Sequence, residues 1–314
     1  MKSVICTLFE KSYHQGVAAL VNSLYCNDFR GAIYAGYRGK LPSWASLATD
    51  NPAIEWTGAK TLQVAEGLQL HFLPVDTHFH FTTYKPYFML SLIEGIAKDA
   101  DGIVYFDPDI VVKCDWKYFE KWISYGVGLV HEIVNHDMPP NHPTRIMWHE
   151  IINQSGRTVV SKLTSYINAG FCGVSKQHIE FIKTWRDIID TAIRHHDFDP
   201  KTFINLDRTA LFCGDQDGLN ITAMCCESPL CEVGPQEMDF LHGGYIMSHA
   251  VGRDKPWRNK FIRASLSGNR PRSVDKFFWK SVSYPIQLYS KRHIAWKKRS
   301  LNFASFIGRF YGRQ

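Results

Sequence analysis

Residues 102–112 constrain the fold more than any other part of this chain. Their sequence, GIVYFDPDIVV, is an apolar, β-branched run interrupted by two carboxylates on either side of Pro108. Such a run is typical of a buried strand, and Pro108, which has no N–H to donate, predicts that the strand ends or bulges there. Alternation along an extended chain places Asp107 and Asp109 on one side. Two like charges are unfavourable there without a cation between them, which predicts a divalent ion with phosphates completing its shell.

The surrounding pattern predicts an α/β layered domain. Apolar runs predict strands at 4–9, 32–35, 68–73, 102–112 and 127–130. Apolar residues at helical spacing predict helices at 17–24, 84–97, 119–125 and 219–225. Strands that alternate with helices form layered α/β domains, in which ligands bind beyond the carboxyl ends of the strands. The His-, Pro- and Asn-rich residues 134–157 predict a long loop, either an acceptor-site lid or plain surface.

Composition excludes several classes of protein. The 314 residues are 45% hydrophobic and 21% charged, which is globular. No apolar run approaches the roughly 18 residues of a membrane span, and the first residues are typical of a strand rather than a signal peptide. The eight cysteines include no Cys-x-x-Cys pair, which favours reduced thiols in a cytosolic protein over a zinc site.

Three further segments carry polar groups suited to one reaction. They are residues 166–174 (YINAGFCGV), 214–220 (GDQDGLN) and 249–257 (HAVGRDKPW). A divalent ion needs two carboxylates and a neutral donor, here Asp107, Asp109 and His249; His242 is the competing ligand. A departing diphosphate needs positive charge, which the ion and Lys255 would supply. A sugar needs polar groups facing its hydroxyls, here Asn168, Asp215, Gln216 and Asp217. The set suits transfer of a glycosyl group from a nucleotide diphosphate.

In this order the four segments resemble the retaining, metal-dependent glycosyltransferases of family 8, which include glycogenin and the bacterial lipooligosaccharide galactosyltransferases. The matching pieces are Asp107-x-Asp109, Asn168-Ala-Gly170, Asp215-Gln216-Asp217 with Leu219-Asn220, and His249-x-x-Gly252-x-x-Lys255-Pro-Trp257. The resemblance covers roughly residues 1–260. It implies a GT-A fold, with a mixed, mainly parallel Rossmann-like sheet flanked by helices.

The resemblance also implies roles for individual residues. Asp107, Asp109 and His249 would bind Mn²⁺ or Mg²⁺, and Asp107 would also touch the donor ribose. Lys255, in the loop with Gly252, would hold a donor phosphate, and Lys85 stands where the family has an Arg or Lys that reaches the donor. Gln216 would lie near the reacting carbon, with Asp215, Asp217 and Asn168 on the sugar. Thr7, Leu8 and Tyr13 would face the base and ribose.

The chain departs from the family pattern in three places. The family has a polar or acidic residue soon after its first strand, where Leu8 and Phe9 stand here, and its metal motif rarely contains a proline like Pro108. The sequence at 84–87 also differs from the common form. These departures leave the base and the sugar of the donor open.

The carboxyl-terminal part has a different composition from the rest. Residues 258–314 hold 14 Lys or Arg and one acidic residue, so the remainder of the chain is net acidic. Phe303, Phe306, Ile307, Phe310 and Tyr311 fall on one face of a predicted helix, beside several basic residues. A basic amphipathic helix rich in aromatics suits an anionic membrane surface. A helix docked on the catalytic part is the structural alternative, and nucleic-acid binding is weaker because no motif supports it.

The sequence therefore predicts a catalytic domain at 1–262 and a basic, aromatic, helical extension at 263–314. The predicted activity moves a sugar from a UDP-type donor to a glycan or glycolipid, such as a surface polysaccharide precursor. The predicted location is cytoplasmic, with or without peripheral attachment to the inner face of the membrane. Two alternatives stay open: a phosphohydrolase of the haloacid-dehalogenase type, whose nucleophile motif Asp107-x-Asp109 loosely fits, and a catalytically silent nucleotide-sugar-binding adaptor.

Overall fold

A nine-stranded mixed sheet forms the centre of the molecule in the computed structural model, which describes residues 1–133, 137–204, 210–252 and 254–310. The strands in these residues are β1 (Ser3–Glu10), β2 (Gly31–Arg38), β3 (Thr49–Asp50), β4 (Lys60–Ala65), β5 (Leu68–Pro74), β6 (Gly102–Phe106), β7 (Ile110–Val112), β8 (Val127–His131), β9 (Ile167–Ser175), β10 (Leu230–Val233) and β11 (Met247–His249). The helices are α1 (His14–Cys26), α2 (Lys85–Ser91), α3 (Trp116–Tyr125), α4 (Pro143–Gln154), α5 (Glu180–His195), α6 (Asp215–Cys225), α7 (Phe261–Leu266), α8 (Ser273–Lys280) and α9 (Lys291–Ile307).

The sheet has a parallel centre with its crevice beside β1. Its strand order is β10-β8-β9-β6-β1-β2-β5-β4-β3, and all strands except β4 and β9 run in one direction. β1 pairs in parallel with β2 on one side and with β6 on the other. Chain connections leave β1 in opposite directions there, which opens a crevice at the carboxyl ends of the strands. The predicted α/β fold, a mainly parallel sheet flanked by helices, is confirmed.

Helices cover both faces of the sheet. α2, α4, α5 and α6 bury one face, where Phe88, Trp148 and Trp185 are among the largest enclosed side chains. α1 and α3 bury the other face against residues such as Phe106. Every residue of β6 is buried, which is why its sequence is a continuous apolar run instead of an alternating one.

The strand that carries the two carboxylates is broken, as Pro108 predicts. β6 ends at Phe106, and the chain resumes as β7, which pairs antiparallel with β11 in a separate two-stranded sheet. α1 packs closely on the break, because a Cβ at Gly16 would lie 2.1 Å from the Pro108 carbonyl oxygen. Pairing of β7 with β11 places His249 opposite Ile110. The break therefore brings a residue 140 positions further along the chain beside the Asp pair.

The prediction of a long loop at 134–157 is wrong for half of its length, and residues 134–136 lie outside the described part. α4 spans Pro143–Gln154. His142 caps it by accepting a hydrogen bond from the Thr144 amide at 3.2 Å, and Pro143 occupies a first-turn position that lacks a helical hydrogen-bond partner anyway. The buried residues of α4 are Arg145, Trp148, Ile151 and Ile152. Arg145 thus occupies a buried position of α4, and its charge interrupts the apolar pattern that would otherwise identify the buried face from the sequence.

The extension packs on α1 through its own apolar cluster. The cluster joins Ala19 of α1 and Val111 of β7 to residues of the extension and of the segment before it: Trp257, Phe261, Phe278, Trp279, Val282, Ile294, Leu301 and Ala304. Asn22 of α1 is fully buried beneath this cluster. Its side-chain amide donates to the carbonyls of Ser281 and Ile286, both at 2.8 Å, and its oxygen accepts from the Ile286 amide at 2.7 Å.

We predict that Asn22→Ala lowers the free energy of unfolding by about 2–4 kcal/mol, since it leaves three buried backbone groups without partners. Asn302→Ala, at an exposed position of α9, is the control and should change stability by less than about 0.5 kcal/mol. Urea denaturation of both variants and the wild type measures the difference. Equal stabilities of the two variants would mean that the extension does not depend on this contact.

Candidate active site

A cleft of about 550 Å³ opens at the carboxyl edge of the sheet. All but one of the residues predicted for the site line it: Leu8, Tyr13, Lys85, Asp107, Asp109, Asn168, Asp215, Gln216, Asp217, His249, Gly252 and Lys255. Thr7 is the exception, because it is fully buried within β1 and does not reach the cleft. Residues from six separate segments thus converge on one site.

Two carboxylates and one imidazole form a group that could hold a metal ion. One ligand atom from each of Asp107, Asp109 and His249 lies within 4.8 Å of the other two. The His249 Nε2 atom is 3.4 Å from Asp109 Oδ1 and 3.7 Å from Asp107 Oδ2. Hard oxygens with one imidazole nitrogen suit Mn²⁺ or Mg²⁺. The competing candidate, His242, is exposed and does not join this group.

Asp109 is a buried carboxylate kept ionised by its neighbours. Burial by itself would raise the pKa of Asp109, but His249 and Lys255 outweigh burial and hold this pKa well below its ordinary value. The Lys255 ammonium donates to Asp109 Oδ2 and, at 2.7 Å, to the Ala250 carbonyl. Asp109 is therefore an ionised carboxylate that can ligate a divalent cation, and the Lys255 ammonium lies beside it.

Lys85 lies between Asp107, which follows β6, and Asp215, which begins α6. It lies at the start of α2 with its side chain 3% exposed, and its ammonium is 3.1 Å from Asp107 Oδ1 and 3.0 Å from Asp215 Oδ2. It also donates to the Ala169 carbonyl at 2.8 Å. Burial would lower the pKa of Lys85, but the two carboxylates raise it above its ordinary value. The lysine is therefore charged, and it balances carboxylates from two distant segments.

Amide and carboxylate groups form the opposite wall. Gln216 Oε1 accepts from the Ala169 amide at 3.1 Å and from Asn168 Nδ2 at 3.3 Å. Asn168 Nδ2 donates also to Glu132 Oε2 at 2.6 Å. Because the glutamine amide oxygen and the glutamate both face Asn168, this side chain has a defined orientation in the cleft. The Gln216 side chain also hydrogen-bonds Tyr166.

The first turn of α6 carries the acidic part of this wall. Asp217 Oδ1 accepts from the Tyr166 hydroxyl at 2.6 Å, and Oδ2 accepts from the Cys213 amide at 2.8 Å. Burial raises the pKa of Asp217 despite these bonds. Acidic residues are favourable at a helix N-terminus, and Asn220 fixes the helix to β9 by bonding both backbone groups of Ile167 at 2.9 Å.

Several residues of the cleft were not predicted from the sequence. Glu10, His80, Tyr105, Glu132, Tyr166 and Phe203 also line it. Glu132 follows β8 directly, so the rule that ligands bind beyond the carboxyl ends of strands could have found it. Glu10 is likewise the last residue of β1. No local signal marks Tyr105, whose hydroxyl donates to Asp107 at 3.0 Å from inside β6.

Comparison with solved structures finds glycosyltransferases. LgtC, a galactosyltransferase solved with donor and acceptor sugar analogues, has a TM-score of 0.52 and 17% identity over 92% of this chain and 98% of its own. GlyE of Streptococcus pneumoniae TIGR4 has a TM-score of 0.55 and 13% identity, with 100% and 66% covered. The bifunctional glycosyltransferase WbbM has 0.51 and 14%, with 94% and 51% covered, so this chain spans about half of its length.

These similarities establish the fold. No protein family model and no curated protein sequence matches the chain. The GT-A fold of glycosyltransferases, which the motifs predict, is confirmed by the three solved structures. At identities of 13–17%, activity has to be argued from the residues of the cleft.

Gly170 provides a test of how His249 reaches the carboxylates. A Cβ at this position would lie 2.3 Å from His249 Cε1 and 2.8 Å from both His249 Nδ1 and Asn168 Oδ1. We predict that Gly170→Ala displaces the imidazole and weakens Mn²⁺ binding at least about 10-fold, as losses of ligand orientation do. Calorimetric titration with Mn²⁺ measures the affinity.

A double variant separates this explanation from general damage. If Gly170→Ala acts through His249, then Gly170→Ala combined with His249→Ala should bind Mn²⁺ about as weakly as His249→Ala alone. Fully additive losses would show that the glycine acts on something other than the imidazole.

Proposed function

We propose that the protein is a divalent-metal-dependent glycosyltransferase that takes its sugar from a nucleotide diphosphate, UDP being the expected carrier. One observation carries the proposal: the Asp107, Asp109 and His249 group lies in the same cleft as two buried lysines and an amide-rich wall. A bound divalent cation would stabilise a diphosphate, and polar side chains would hydrogen-bond a sugar. The cleft therefore has groups suited to both parts of a nucleotide sugar. The GT-A fold supports the same assignment.

Each charged side chain of the cleft would have a separate role in binding the diphosphate. A divalent ion held by Asp107, Asp109 and His249 supplies Lewis-acid stabilisation of the leaving phosphate. Lys255 would exchange its contact with Asp109 for a donor phosphate oxygen, because both partners are anionic. Lys85 would hold Asp107 and Asp215 in place, since it contacts both at about 3 Å. Tyr13 would bind the nucleoside at the end of the cleft formed by β1.

The opposite wall would receive the sugar. Asn168, Asp215 and Asp217 would accept or donate hydrogen bonds to its hydroxyls, and Gln216 would lie nearest the reacting carbon. We propose retention of configuration from the resemblance to family 8, and we assign no covalent nucleophile. The acceptor would be a glycan or a glycolipid, which enters from the side of His80 and Phe203.

Two other functions compete with this one. In a haloacid-dehalogenase-type phosphohydrolase the nucleophile follows the first strand, whereas Asp107 follows β6, and its carboxylate faces Lys85 and His249. A silent nucleotide-sugar-binding adaptor would use the same metal and lysine groups, so turnover is what separates it from the enzyme. Phosphatase activity without a nucleotide sugar supports the first alternative, and nucleotide-sugar binding without any turnover supports the second.

The first test is calorimetric titration of UDP and a panel of UDP-sugars, with and without Mn²⁺. We expect metal-dependent binding of UDP and tighter binding of one UDP-sugar. If UDP fails, the GDP, CDP and dTDP sugars follow, because the departures near Leu8 leave the base open. Absence of binding to all of them contradicts the proposal.

Asp109→Asn is the matching variant, because it removes the charge with little change in volume. Loss of one metal ligand should weaken Mn²⁺-dependent UDP binding by more than about 100-fold, beyond the effect of altering a supporting residue. Asp99→Asn, at an exposed site away from the cleft, is the control and should bind as the wild type does. Turnover by Asp109→Asn at the wild-type rate rules out the metal assignment.

We also propose that residues 1–262 catalyse and that the extension, 263–314, binds an anionic membrane surface on the cytoplasmic side. α9 has two faces. Ile294, Leu301 and Ala304 are buried against the cluster on α1, whereas Arg292, Trp296, Arg299, Phe303, Phe306 and Phe310 form an exposed stripe at three- and four-residue spacing. The helix can therefore dock on α1 through its buried face and bind a membrane surface through its exposed face. Tyr311 and Arg313, also predicted for this surface, lie outside the described residues.

An exposed stripe of aromatics and arginines suits the boundary between headgroups and acyl chains. Phe303, Phe306 and Phe310 are 54%, 53% and 73% exposed, so their side chains need no unfolding to insert. In the described part of the chain, no helix has both the length and the apolar character to cross a bilayer. The proposed attachment is therefore peripheral.

Replacing these three phenylalanines by serine tests the surface. Each inserted ring contributes about 1.5–3 kcal/mol when fully buried, so we expect at least a 10-fold loss of binding to vesicles of anionic phosphatidylglycerol in a sedimentation assay. A control variant changes three comparably exposed residues of the catalytic part, Leu47, Tyr125 and Leu241, to serine and should bind normally. Equal binding by both variants rejects the membrane role.

A further inference from the structure

The loop that carries Lys255 has little secondary structure of its own. It leaves β11 after His249, and its residue Gly252 has φ +81°, a conformation that favours glycine. Within it, the Val251 amide bonds the His249 carbonyl at 3.0 Å. The Ala250 and Lys255 carbonyls also have partners within or just after the loop, whereas three other carbonyls of the loop have theirs in the extension.

Two side chains of the extension bind three carbonyls of this loop. Arg272, the residue that caps α8, donates from Nη1 to the Val251 carbonyl at 3.0 Å and from Nη2 to the Asp254 carbonyl. Trp279, near the end of α8, donates from Nε1 to the Pro256 carbonyl at 3.2 Å. The backbone is thus held on both sides of Lys255.

The guanidinium itself is fixed from behind. Asp275, which is fully buried, accepts from the Arg272 backbone amide at 2.8 Å and lies 3.5 Å from Arg272 Nε. A planar guanidinium has donors in a rigid fork, so the two carbonyls that it binds are held in a fixed geometry, which the freely rotating donors of an ammonium would not impose. These contacts therefore fix the backbone conformation of the loop as well as its distance from α8.

We infer that Arg272 is a positioning residue: it shapes the loop so that Lys255 enters the cleft beside Asp109. This inference rests on the proposed function in one respect, that Lys255 meets the diphosphate of the donor. It assigns the extension a part in donor binding that is independent of any membrane. Arg272 touches neither the metal group nor the cleft, so its effect passes through the loop backbone.

Arg272→Gln tests the inference, with Lys276→Gln, an exposed cation on the same helix, as the control. Loss of charge-assisted bonds to the loop should weaken Mn²⁺-dependent UDP binding about 10-fold in calorimetry, while the affinity for Mn²⁺ alone stays unchanged. A merely destabilising substitution would lower both affinities. Arg272→Lys, which retains the charge but loses the rigid fork of the guanidinium, should fall between the wild type and Arg272→Gln, and it serves if Arg272→Gln does not fold.

Hydrogen exchange of residues 249–258 provides a readout that needs no donor. We expect the amides of this segment to exchange faster in Arg272→Gln than in Lys276→Gln. Equal exchange and equal UDP affinity in the two variants overturn the inference. If the wild type binds no UDP, the proposed donor is overturned, and the exchange comparison alone then decides whether Arg272 positions the loop.

Discussion

The close approach of two carboxylates at the end of β6 is the constraint on which the rest of this structure depends. Asp107 and Asp109 lie where a buried strand breaks at Pro108, and unpaired charges in such a place cost several kcal/mol each. Three basic side chains lie against these carboxylates: Lys85 precedes the strand, and His249 and Lys255 follow it by more than a hundred residues. The chain therefore has to fold completely before its charges are balanced.

This arrangement also explains why the site has room for a ligand. Asp109 contacts Lys255, and Asp107 contacts Lys85, yet the imidazole of His249 stays more than 3 Å from both carboxylates. Its Nδ1 atom is buried without a partner among the described residues. With this spacing, the two carboxylates and the imidazole offer three ligand atoms to a divalent cation. The protein supplies the rigid surroundings, and Gly170 supplies the space in which the imidazole lies.

The sequence predicted much of the fold because its strongest signals are local. The apolar runs of β1, β5 and β6 and the break at Pro108 depend on neighbouring residues, and all of them are confirmed. α4 escaped prediction because its buried face includes Arg145, whose Nε and Nη2 atoms donate to the carbonyls of Met138 and Ser165 at 2.8 Å. Burial of an arginine by distant backbone carbonyls cannot be inferred from a helical pattern.

The candidate site was predictable where a motif existed and not where contacts alone define it. Glu132 and Tyr166 orient Asn168 and Asp217, yet each is a single polar residue at the end of a strand. Periodicity likewise places Phe303 and Phe306 on one face of α9 and Leu301 and Ala304 on another. Which face docks depends on the apolar surface that α1 and α8 offer, and this surface forms only in the folded chain.

The central claim is that Asp107, Asp109 and His249 hold a divalent ion against the diphosphate of a nucleotide. Anomalous diffraction from a crystal of the protein grown with Mn²⁺ and UDP tests it most directly. The account predicts one manganese peak between these three side chains, with the diphosphate on the side of Lys255. Bound UDP without a manganese peak there, or manganese bound elsewhere in the cleft, would contradict it.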